Sequence, residues 1–193
     1  MNSDIQTFCT IIRNRSEENK LAIKLFSHEP YRVLSPIFSI LRQEIDSMIR
    51  AIFLLQIDDM TERQRLVKAT LAGEKWKIST PKGKFRDITD REMVELAQKL
   101  QGWSYSVYSF GCAFIHLSNF HNHHAQNPFQ SLTESEKHDI LKHMRYYHGG
   151  PHNDNPDMLE FSMYLPRVFH KISENLECYL EDLEENRLSH QTY

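Results

Sequence analysis

The sequence predicts an all-α fold: a single-domain helical bundle of about six to seven helices, with one basic loop or short hairpin. Three observations carry this. Apolar residues recur at spacings of three and four along most of the chain. Capping boxes recur with glycines placed where the following helix should stop. Glycine and proline are scarce, at 6 and 7 of 193 residues, too few for a loop-rich β-sandwich. That length suits one domain with a sizeable core, spanning 1–193.

Ser3 can cap a first helix carrying Ile5, Phe8 and Ile12, then Leu21, Ile23 and Phe26. Pro36 suits the first turn of a second helix, whose apolar series is Phe38, Leu41, Ile45, Met48, Ile52 and Leu55. Thr61-Glu-Arg-Gln64 reads as a capping box for a third helix that Gly73 ends. Thr89-Asp-Arg-Glu92 opens a fourth, stopped at Gly102, and a fifth is predicted from about Trp103 to His124. Thr133-Glu-Ser-Glu136 opens a sixth that Gly149-Gly150 stops. Asn155-Pro156 opens a seventh, kinked at Pro166 and reaching about Arg187. The stretch after Leu180 is acidic and polar and is expected to fray, with 188–193 as a loose tail.

Residues 74–87 break the helical pattern with five basic and two acidic residues around Pro81 and Gly83. Lys82, Lys84 and Arg86 could meet phosphates there, with Trp76 or Phe85 stacking on bases; the alternative is a solvated surface loop.

Bulk features exclude several classes. A net charge of −3 provides no global field for nucleic acid, so any such contact must be local. The three cysteines, Cys9, Cys112 and Cys178, form no C-x-x-C pair, which argues against a disulfide framework or a cysteine zinc site. No basic segment precedes an apolar run at the N-terminus, and the longest apolar stretch is too short for a membrane span. The expected location is the cytoplasm.

Histidine clustering is the chemical anomaly. Eight of eleven histidines lie between His116 and His152. If the fifth helix runs through, Val107, Phe110, Phe114, Leu117 and His121 form its core face. Cys112, His116, Asn119 and His123 then form an opposite polar stripe, either a substrate-binding face or merely a solvated one. On the next helix His138, Leu141, Arg145 and His148 share a stripe, and the Gly149-Gly-Pro-His152 turn could fold His152 back. Arg clamps phosphate oxygens and His moves protons near neutrality, so such a group suits phosphate chemistry.

The span Arg145-Tyr-Tyr-His-Gly-Gly-Pro-His152 resembles the Arg-x(4–6)-His pattern of the HEPN superfamily. That resemblance implies an all-helical bundle of about this size, often a metal-independent endoribonuclease of a toxin or antiviral system. It implies a homodimer whose shared cleft promotes attack of an RNA 2′-hydroxyl on the adjacent phosphate. Arg145 would hold the phosphate and His152 would transfer the proton, with His148 competing at shorter spacing. No cofactor is expected on this reading.

Two alternatives stay open: a non-catalytic module that binds a protein partner such as an antitoxin, and a histidine-ligated metalloprotein. For the latter His116, Asn119 and His123 could combine with His138 and His143, although no H-E-x-x-H or Glu-x-x-His motif is present. Glu44 or Asp46 could orient a site histidine; the plainer expectation for Asp46 is an i,i+4 pair with Arg50. A Cys112–His116 nucleophile would lack a third, orienting group.

Overall fold

The computed structural model describes residues 3–80, 83–100, 102–116 and 118–187. The architecture is all-α apart from one small hairpin. Helix α1 spans Ser3–Phe26, α2 Leu34–Leu55, α3 Met60–Leu71, α4 Asp90–Leu100, α5 Ser104–Ile115, α6 Glu134–His148, α7 Met158–Ser162 and α8 Leu165–Glu184. No helix among the described residues is long and apolar enough to cross a membrane.

Helix α2 is the axis of the bundle, packing most extensively on α8 and α5, while α1 lies across α8, α3 and α2. Its Ile45, Met48, Ile49 and Ile52 are 0–1% exposed, and Leu34, Ile37, Phe38 and Leu41 are buried beside them. Each such side chain contributes roughly 1.5–3 kcal/mol by leaving water. From α1, Ile5, Phe8, Ile12 and Ile23 join the core, whereas Leu21 stays on the surface.

Two capping boxes form as expected. The Thr89 hydroxyl accepts from the Glu92 N–H, and the Glu92 carboxylate accepts from the Thr89 N–H at 2.9 Å. Thr133 and Glu136 repeat the arrangement, and Gly149 closes α6 in the left-handed region at φ +76°. The third box differs. α3 starts at Met60, and its cap is Asp59, whose carboxylate accepts from the Thr61 N–H at 2.8 Å. Aspartate is the stronger cap, so the helix begins ahead of Thr61.

The predicted loop at 74–87 is a hairpin: Lys77–Ser79 (β1) pairs antiparallel with Phe85–Asp87 (β2). Buried Trp76 anchors it, packing on Phe53 and donating to the Thr70 hydroxyl at 2.7 Å.

Three expectations about continuity require correction. Helix α5 ends at Ile115, not His124, and His116 is already extended at φ −91°, ψ 140°. Ser118 is the cause: its hydroxyl donates to the Ala113 carbonyl at 2.7 Å and accepts from the Phe120 N–H, starting a separate 3-10 turn at Asn119–Asn122. The expected seventh helix is two helices. Asp157, not Asn155-Pro156, caps α7, and Pro166 sits in the first turn of α8, where its missing N–H costs nothing. Residues 181–187 do not fray: α8 runs to Glu184 with Leu183 buried, and the Asn186 side chain accepts from Arg63 at 2.9 Å. The expected tail at 188–193 lies outside the described residues.

Candidate functional site

The histidine-rich stretch resolves into separate settings. Because the chain turns after Ile115, Cys112, His116, Asn119 and His123 do not form one helical stripe. His116 is exposed just past α5, and the Asn119 side chain lies outside the described residues. Cys112 lies near the Arg42 guanidinium. His123 packs edge-on to Tyr31 and beside His124; its Nδ1–H donates to the Phe120 carbonyl at 3.1 Å. Its Nε2 is buried without a partner among the described residues, and burial holds its pKa below the ordinary histidine value. His121 spans the turn: Nδ1 accepts from the Ser118 N–H at 3.3 Å and Nε2 meets the Phe114 carbonyl at 3.1 Å. That pairing fixes the proton on Nε2.

The basic hairpin stands apart from these histidines. Lys84 is exposed, Lys82 lies outside the described residues, and Arg86 is committed to Glu92 at 2.6 and 3.0 Å. Together with Thr89, that pair holds the Glu92 carboxyl down to about 2.

Arg145, in the last turn of α6, and His152, in the loop that follows, are joined through the backbone. The Arg145 Nε–H donates to the Pro151 carbonyl at 2.8 Å. Its Nη2 group donates to the carbonyls of His152 and Asn153 and to the Asp154 carboxylate at 2.7 Å. Nη1 makes no bond among the described residues. The loop is also fastened to α8: Arg167 donates to the His148 carbonyl at 3.0 Å, and a Cβ on Gly150 would fall 2.5 Å from the Tyr164 hydroxyl. The His152 residue is exposed, and His116 and His123 lie outside the concavity that Arg145 lines with His138, Tyr146 and Asp154.

Neither acidic candidate of α2 orients a histidine. Asp46 pairs with Arg50 at 3.1 Å and with Arg42 at 3.6 Å. Fully buried Glu44 accepts from Ser16 and from Asn19. Among the described residues no three His, Cys, Asp or Glu side chains gather as metal ligands.

Sequence reasoning missed a groove beneath α6. Phe38 and Leu41 of α2, Val107 of α5, Met144 of α6 and Val168 of α8 wall it, with Trp103, Tyr147, His148 and Lys171 around it. Trp103 is 6% exposed, and its Nε1–H is buried without an acceptor among the described residues, an omission that costs about 1–3 kcal/mol. His148 is half-buried, and burial, then the charges of Lys171 and Arg167, hold its pKa below the ordinary value. Lys171 lies 5.6 Å from the Tyr147 ring centre. The signal available in sequence was the like-charged i,i+4 pair Arg167 and Lys171, two cations on one face of a helix.

In comparisons with known proteins, the chain matches no family model, no curated protein and no solved structure.

Proposed function

We propose that this chain is a helical binding module, in which Arg145 shapes the 149–154 loop rather than holding a phosphate. The supporting observation is the guanidinium's commitment: Nε and Nη2 serve four acceptors of that loop, one of them the Asp154 carboxylate. A phosphate approaching Arg145 would meet that carboxylate at once, and like charges at such range repel. The module works in the cytoplasm, and its partner is a protein such as an antitoxin or a small ligand.

A second reading keeps one favourable observation. Arg145 Nη1 is unbonded among the described residues, and His152 is exposed on the loop that Arg145 holds. In a homodimer these could meet RNA and act as a HEPN-like, metal-independent endoribonuclease. Incubation with single-stranded RNA and EDTA separates the two, with an Arg145→Ala/His152→Ala variant alongside. The binding module leaves RNA intact in both samples. Cleavage that survives EDTA and vanishes in the variant overturns it in favour of the nuclease.

A further inference from the structure

Two properties coincide at the groove beneath α6. Its interior is apolar, walled by Phe38, Leu41, Val107, Met144 and Val168. Its volume is about 60 Å³. That is several times the ~10–15 Å³ one water needs and below the ~150 Å³ cavity that accepts a benzene. A chain of a few methylenes fits this range; water in such an apolar space would lack hydrogen-bond partners.

Two cations border it. Lys171 lines the groove, and Arg167 lies one helical turn earlier on α8, bonded to the His148 carbonyl. Neither cation has an ion-pair partner among the described residues. Half-buried His148 lines the groove near Lys171. Apolar walls and a cation with no ion-pair partner together describe a site for an amphipathic anion.

We propose that this groove binds a short aliphatic carboxylate, its chain against Leu41, Met144 and Val168 and its carboxylate at Lys171 and His148. This rests on the binding-module reading above and names the ligand class. Lys171 supplies the permanent charge. The small apolar volume limits chain length.

Trp103 is itself the reporter. In a Trp76→Phe background it is the remaining tryptophan, and its fluorescence is titrated with butyrate, hexanoate, octanoate and hexanamide. Calorimetry on the unaltered chain runs in parallel, so that loss of the Trp76 anchor does not decide the result. The expected outcome is saturable binding with an optimum among the shorter chains. The uncharged amide and Lys171→Gln should each weaken it about tenfold, the scale of one charge-assisted hydrogen bond. Equal affinity for acid and amide overturns the proposal, as does unchanged affinity in Lys171→Gln. No saturable binding by any carboxylate also overturns it, while leaving the binding-module reading intact, since that reading falls on EDTA-resistant RNA cleavage.

Discussion

The Arg145 guanidinium and the Asp154 carboxylate meet at 2.7 Å across the turn that follows α6. The pair is at the surface, with the Asp154 side chain 90% exposed, so its ionic part is worth only about 0.2–1 kcal/mol. The three carbonyls held by the same guanidinium, of Pro151, His152 and Asn153, are the stronger restraint. Asp154→Ala should therefore leave thermal stability almost unchanged. Arg145→Ala should cost about 1–3 kcal/mol and raise amide exchange selectively in 149–154. Arg145→Lys should not restore protection, because an ammonium lacks the planar fork that reaches several acceptors. Hydrogen-exchange mass spectrometry reads this directly, and unchanged exchange in Arg145→Ala would refute the restraint.

Gly111 of α5 packs on Arg42 of α2: a Cβ there would lie 2.7 Å from the Arg42 Cβ. Arg42 cannot yield easily. Its guanidinium sits 3.9 Å over the Tyr108 ring and meets Asp90 at 3.3 Å. Gly111→Ala should cost about 1–3 kcal/mol by overpacking, a fall in Tm of several degrees for a chain of this size. A double-mutant cycle with Arg42→Gly should return part of that cost, since the contacted Cβ and stem are gone. Additive losses in calorimetry would mean the clash lies elsewhere.

These contacts show which parts of the molecule sequence could disclose. The apolar spacing from Phe38 to Leu55 disclosed α2, because a helix buried on most sides repeats its pattern unambiguously. Thr89 with Glu92, and Thr133 with Glu136 and Gly149, disclosed helix ends because capping is local chemistry. The end of α5 is equally local but uses histidine where the motif expects Glu or Gln, so His121 read as helix and hid the break. The partners of Arg145 were illegible for another reason: backbone carbonyls carry no residue identity, and only the turn at Gly149 aims them inward. The groove was illegible because residues from 38 to 171 meet there only after α2, α5, α6 and α8 have packed.

The His121 bridge yields its own prediction. His121→Ala strips an acceptor from the Ser118 N–H and a donor from the Phe114 carbonyl, both partly buried. The loss should be about 1–3 kcal/mol, with faster exchange from 116 to 124. Gln is a standard residue at this position of a capping box, so His121→Gln should recover protection at Ser118 more fully than at the α5 terminus. Equal exchange in the Ala and Gln variants would show that the ring is held by packing on Phe114 rather than by these bonds.

Acid should weaken the fold before carboxylates are involved. Burial holds both His148 and His123 below the ordinary histidine value; Lys171 and Arg167 add to the effect on His148, and His124 and His121 on His123. The unfolded chain takes up these protons near pH 6.5, the folded chain only at lower pH. Between those values the unfolded state carries more protons, so stability rises with pH. It is complete above about 6.5 and is lost as pH falls through the folded-state values. The Glu92 carboxyl, held at about 2, titrates far below this window. Tm should therefore be lower at pH 5 than at pH 7.5, and His148→Gln should flatten the profile, with His123→Gln flattening it further. The same profile with both histidines replaced would mean that neither carries the effect.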